Sequence, residues 1–151
     1  MKLIIAIFIS HLAGIIGGIA TSSSVGSWYQ TVPKPWFNPP SYVFGPVWLC
    51  LYTLMGISLY RIWKKEKTTW SKLSIIFYIH LIVNALWSIV FFGLQNIFAA
   101  FIIICILWLM IIWLINIFNK KDKIASYLLI PYLLWVTFAS ILNVSLIYLY
   151  Y

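Results

Sequence analysis

Within SIIFYIHLIVNALWSIVFFG, His80, Asn84, Trp87 and Ser88 fall at i, i+4, i+7 and i+8, so they share one helical face. An imidazole, an amide, an indole and a hydroxyl aligned this way can hold a ligand or bond neighbouring helices. A second such stripe runs through IPYLLWVTFASILN, as Pro131, Trp135, Ala139, Leu142 and Asn143. A third face carries Trp48, Tyr52, Met55, Gly56 and Leu59, and Phe44 joins the candidate ligand-binding lining beside Trp48. Counted from the same end, Asn84 and Trp135 lie at nearly one depth. Polar groups at bilayer depth are costly unless they face the bundle or a wet cavity. Asn84 is therefore either helix-to-helix glue, worth about 0.6 kcal/mol, or a ligand contact. Trp48, Trp87 and Trp135 each share a face with small or polar residues, and a buried indole N–H seeks a partner. Together they form either a packed core or a cavity suited to a large, flat, mostly apolar ligand.

The elements that must position these groups follow from composition. The chain has 151 residues, is 64% hydrophobic and only 8% charged, with a mean hydropathy of +1.03. A soluble domain would carry about a quarter charged residues, so most of this chain meets lipid. Five apolar segments, at 3–21, 43–63, 73–92, 97–118 and 125–150, each approach the roughly 20 residues that cross a bilayer as helix. Continuous apolar runs without period-2 alternation exclude a barrel. The expected fold is all-α, a five-transmembrane-helix bundle occupying 1–151 as one membrane domain. The first segment lacks a convincing cleavage site and is read as a mature span. Its Gly14 and Gly18 form a GxxxG, which lets a neighbouring backbone approach.

Little is left for conventional catalysis. The only acids are Glu66 and Asp122, both in basic loops. Cys50 and Cys105 sit at unrelated positions and imply neither a disulfide nor a metal site. The net charge of +8 is a topology signal, not a nucleic-acid signal. Lys2, Arg61, Lys64, Lys65, Lys67, Lys72, Lys120, Lys121 and Lys123 fall on one face, and only Lys34 on the other. The positive-inside rule then places the N-terminus in the cytoplasm, with the first loop and the C-terminus extracytoplasmic. The basic face also favours anionic lipid headgroups. Trp63 and Trp70 fit the interfacial belt, Trp113 joins them if its span tilts, and Trp108 fills space near mid-bilayer or faces lipid.

The longest connector, 22–42, is not an ordinary loop. From Pro33 to Trp48 the chain has five prolines and five aromatics around a single charge, Lys34. Prolines restrict the backbone at low entropy cost, so this segment is expected to hold Trp28, Tyr29, Trp36 and Phe37 as a lid over the cavity mouth.

WYQTVPKPWFNPPSYVFGPVWLCLYTLMG resembles the signature of the TspO/translocator proteins, also called tryptophan-rich sensory proteins or peripheral benzodiazepine receptors. LIVNALWSIVFF, ILWLMIIWLINIF and LLIPYLLWVTFASILN extend the resemblance, in order, across practically the whole chain. It implies a five-helix bundle, commonly a homodimer, with a ligand cavity beneath the first loop. It also implies binding of tetrapyrroles, protoporphyrin IX and haem, as ligands and not as obligatory cofactors. By motif position Trp48, Asn84 and Trp135 should contact ligand, Tyr29 should cap the cavity, and Ala139 should lie on the cavity-facing stripe. Phe37 stands where the family often has tryptophan, and His80 where it usually has glutamine. His80 is either an axial ligand for haem iron or a satisfied bundle histidine. Lys34 either pairs with a porphyrin propionate or is solvated. The tail NVSLIYLYY has no basic residue, so cholesterol binding is unsupported. The leading functional expectation is a tetrapyrrole-binding receptor or sensor. One alternative is photo-oxidative porphyrin degradation with Trp48 and Trp135 as electron donors. Another is transport of porphyrin or a related amphiphile, against which the absence of an evident repeat weighs.

Overall fold

A computed structural model describes residues 1–151. The chain is all-helical, and five stretches are long and apolar enough to cross a membrane. The elements are α1 (Lys2–Ser22), α2 (Trp28–Thr31), α3 (Ser41–Glu66), α4 (Lys72–Ser88), α5 (Ile97–Asn119), α6 (Lys123–Tyr127) and α7 (Ile130–Tyr150). Local chemistry sets most of their ends. The side chains of Ser71, Asn96 and Asp122 accept from Ser74, Ala99 and Ile124 N–H at the starts of α4, α5 and α6. Pro40 cannot extend a helix backwards and precedes α3 in extended geometry. Lys67 ends α3 in the left-handed region at φ 60°.

The five spans appear where the apolar runs predicted them, with two local departures. The third does not end as plain α-helix: Ile89–Gly93 form a π turn continuing α4. The fifth is not one helix either. It opens with α6, breaks at Leu128 and Leu129, and resumes as α7 with Pro131 in its first turn. Pro131 does not kink a continuous helix. It instead starts one, where its missing N–H has no partner to lose. The proline inside a helix is Pro46 in α3, which cannot donate to the carbonyl of Tyr42, four residues back.

Small residues decide how α1 packs. Its buried stripe is Ala6, Ser10, Ala13 and Gly17, spaced for one helical face. The expected GxxxG contact takes a different form. Gly14 faces the ring of Tyr52 and Gly18 has nothing within 4 Å, so that pair makes no backbone-to-backbone seam. The close approach is made from the other helix, by Gly56. A Cβ there would collide with the Cα of Ile7 and stand 2.9 Å from its N and Cγ1.

The end of the bundle that carries the basic residues is tied together by polar contacts. Arg61 Nε donates to Asp122 Oδ2 at 2.7 Å, and Ser58 Oγ to the Ala125 carbonyl at 2.7 Å. Trp63 faces inward, only 4% exposed, and its Nε1 donates to the Tyr78 hydroxyl at 3.2 Å. It is thus a bundle residue and not the lipid-facing belt residue expected. Trp70 and Trp113 are exposed. Trp108 donates to Thr137 Oγ1 at 2.8 Å, so it bonds a neighbouring helix besides filling space.

Gly56→Ala should drive α1 from α3 and cost about 1–3 kcal/mol, the range for overpacking. Thermal unfolding in detergent measures it, and an unchanged midpoint would contradict the close approach. Asp122 supplies a second test. Burial pushes its carboxyl up, but bonds from Arg61 and the Ile124 N–H, with the charges of Arg61 and Lys65, outweigh that and hold it below the ordinary value. A depressed carboxyl contributes stability above its unfolded pKa, about 3.9, and loses it as pH falls through the folded value. Asp122→Ala should therefore cost about 1 kcal/mol at neutral pH. The gap to wild type should close below about pH 4.

Candidate functional site

Toward the 22–42 segment α3 and α7 meet through aromatic side chains, Phe44 and Trp48 against Trp135. A cavity of about 540 Å³ lies there, enclosed by α1, α3, α7, the end of α4 with its π turn, and α2. That volume is within the roughly 300–1,000 Å³ of small-molecule sites.

The wall from α3 is Phe44, Trp48 and Tyr52, one turn apart, as their spacing predicted. Opposite them α7 presents Trp135, Phe138, Ala139, Leu142 and Asn143. Trp48 stacks on Tyr52 at 5.4 Å and meets Trp135 at 6.4 Å with the two indole planes at 89°. Phe44 and Phe138 pack against Trp135 at 5.9 and 5.5 Å. The Trp135 Nε1 is buried without an acceptor, an uncommon state for a polar group. Trp87 also lines the cavity, but its N–H donates to Asn143 Oδ1 at 3.0 Å, and Asn143 Nδ2 donates to the Ile97 carbonyl at 3.1 Å.

Asn84 does not line the cavity; it lies one layer behind. Its Oδ1 accepts from the Tyr52 hydroxyl at 2.5 Å, and its Nδ2 donates to the Tyr132 hydroxyl at 2.7 Å. His80 completes the chain. Its Nδ1–H donates to the Phe77 carbonyl at 2.9 Å, which leaves Nε2 to accept from Tyr132 at 2.9 Å. Every donor and acceptor in this series has one consistent direction. His80 is fully buried with both nitrogens engaged, so of its two readings the structure matches the satisfied bundle histidine. Asn84 can act on a cavity ligand only through Tyr52.

Of the four residues expected in the lid and Lys34 beside them, Tyr29 alone lines the cavity. It sits at 5.4 Å from Phe92 and bonds Asn38 Oδ1 at 3.2 Å. Burial pushes its hydroxyl up to about 12. Lys34 secures Tyr29 from outside. Its Nζ donates to the carbonyls of Tyr29 at 2.5 Å and Val32 at 2.9 Å, and lies 4.5 Å from the Tyr29 ring centroid. Burial lowers its pKa, and two backbone carbonyls hold its ammonium, where the sequence left a propionate or solvent as the alternatives. Trp28 packs edge-on against Phe91 and Tyr150, and Phe37 against Phe138, supporting the wall from behind. Trp36 is 95% exposed and roofs nothing. Pro35 immediately precedes it and restricts the backbone there.

Several lining groups escaped the sequence reading, among them Phe138 and three further rings. Phe91 and Phe92, centroids 4.7 Å apart, both face the cavity because the π turn carries an extra residue; no sequence signal marks that turn. His11 is the third, and its spacing with Gly14 and Gly18 was a readable signal. On one flank the cavity is open. Gly18 of α1 and Gly45 of α3 have nothing within 4 Å, and Ile15 and Leu49 beside them are exposed.

Residues 6–149 match the profile of the TspO/MBR family. The tryptophan-rich protein TspO of Archaeoglobus fulgidus is 42% identical over 146 residues, covering 97% of this chain and 95% of its own. The tryptophan-rich sensory protein of Cereibacter sphaeroides is 35% identical over 91% of this chain and 87% of its own. The translocator protein of Bos taurus is 31% identical over 87% and 80% respectively.

Tyr132 is the hub of the buried series, accepting from Asn84 and donating to His80. Tyr132→Phe should leave both without that partner and cost about 1–3 kcal/mol, read as a lowered unfolding midpoint in detergent. A midpoint equal to wild type would mean the hydroxyl bridges nothing.

Proposed function

The chain belongs to the TspO/MBR family, and from that premise we propose that it is a membrane receptor for tetrapyrroles such as protoporphyrin IX and haem. The observation that carries the reading is the pair of perpendicular indoles, Trp48 and Trp135, in a wide and mainly apolar cavity. A planar aromatic ligand stacks on one indole face and meets the edge of the other, the two arrangements aromatic rings prefer. The unpaired N–H of Trp135 is a donor waiting for an acceptor after a small ring movement. The open flank between α1 and α3 allows an apolar ligand to arrive from the acyl-chain region without opening the first loop. Tyr29, held by Lys34 and Asn38, then acts as the cap. Trp28 and Phe37 brace the walls from outside.

The same reading assigns the protein to the cytoplasmic membrane as a homodimer, with its N-terminus in the cytoplasm. The charge pattern supports that orientation. Nine of the ten basic residues lie at the end holding the N-terminus and the α3–α4 and α5–α6 connections, and Lys34 alone at the other.

Titration of protoporphyrin IX into the detergent-solubilised protein should shift its Soret band and quench tryptophan emission. Trp135→Ala and Trp48→Ala should each weaken binding by at least about tenfold, equivalent to about 1.4 kcal/mol. Asn84→Ala should lower stability more than affinity. Unchanged affinity in the Trp48→Ala, Trp135→Ala double variant would remove this cavity as the site.

A further inference from the structure

We propose that His11 anchors a carboxyl group of the cavity's ligand, so that the site selects flat apolar molecules carrying an acid. This rests on the tetrapyrrole reading above and adds to it the recognition of an acid.

His11 lies midway along α1 and is the sole Lys, Arg or His in the cavity wall. Its Nε2 is 3.0 Å from Thr53 Oγ1. Thr53 has one hydroxyl proton, which it donates to the Leu49 carbonyl at 2.9 Å. With that proton on the Leu49 carbonyl, Oγ1 accepts from His11, which then carries its own proton on Nε2. In the neutral imidazole that leaves Nδ1 as a lone pair, and no protein group bonds it. The contrast with His80, whose two nitrogens are both engaged, is direct.

Most other polar groups of the wall are already paired. Tyr29 bonds Asn38, Tyr52 bonds Asn84, Trp87 bonds Asn143, and Thr21 Oγ1 bonds the Gly17 carbonyl. A basic nitrogen without a partner, at bilayer depth, calls for a ligand group that brings its own proton. A carboxylic acid does so. Its O–H donates to Nδ1, or the proton crosses and Nδ1–H donates to the carboxylate; one proton and one hydrogen bond join the pair in either state. The neutral form leaves no net charge in hydrocarbon, where an isolated charge is costly. An ester offers only acceptors, which meet the Nδ1 lone pair unfavourably.

The test compares protoporphyrin IX with its dimethyl ester, titrated into wild type, His11→Leu and Thr53→Val. The quantity read is the acid-to-ester affinity ratio relative to wild type, in which detergent partitioning cancels. The ratio should fall at least about tenfold in His11→Leu, equivalent to about 1.4 kcal/mol. It should fall less in Thr53→Val, where the imidazole is released to place its proton on either nitrogen. Should His11→Leu not fold, Thr53→Val with retained ester binding and a reduced ratio still supports the anchor. A ratio unchanged in both variants, with both compounds bound, overturns the anchor and leaves the tetrapyrrole site standing. Failure of both compounds to bind wild type overturns both proposals.

Discussion

The structure depends on polar groups at depth finding partners among the helices, because lipid offers none. The series Tyr52–Asn84–Tyr132–His80 meets that requirement with side chains from α3, α4 and α7. Beside it Trp48 of α3 meets Tyr132 and Trp135 of α7 edge-on, so these bonds and rings together set the separation of the two helices. On its basic-end side, Met55, Leu59, Phe77 and Leu107 fill the bundle as ordinary core. On the other side the helices stay apart and the cavity begins. The network is thus the floor of the site, and its cooperative hydrogen bonding makes that floor rigid.

The opposite end is held by a different device. Tyr29, Val32, Val90, Phe91, Leu142 and Leu146 form a smaller apolar cluster that joins the first loop to the π turn and α7. Ser24 Oγ bonds the carbonyl of Phe92, which ties the loop to the turn directly. The cavity is consequently bounded by a polar floor and an aromatic roof, each tied to at least two helices. Its one weak flank runs between α1 and α3, where glycines replace side chains. The two helices meet at Ile7 and Gly56 and at Gly14 and Tyr52. Toward the loop they have no comparable contact.

These constraints divide the aromatic residues by task. Trp63 and Trp108 spend their N–H groups on neighbouring helices. Trp87 does the same at the cavity edge. Trp48 and Trp135 are set apart because they turn broad ring faces to an enclosed volume. Composition does not make that distinction, since all five indoles lie in apolar surroundings of similar length and character.

Span number, span positions and the faces of α3 and α7 were legible in the amino-acid order, because the hydrophobic run length and the 3.6-residue period act locally. Spacing therefore put Trp48 and Tyr52 on one face and Trp135 and Ala139 on another, and the fold decided that these faces border a cavity and not a packed core. What spacing does not contain is the rotation of one helix against another, or which of two polar neighbours is taken. Asn84 and His80 shared a stripe with Trp87, yet Tyr132 drew them away from the cavity. Lys34 turned from the mouth to bond the backbone of Tyr29, and Trp36, after Pro35, swung outward. His11 became a cavity group only once α3 brought Thr53 beside it. Hydrogen-bond partners far apart in sequence are chosen by packing, so their assignment belongs to the tertiary structure alone.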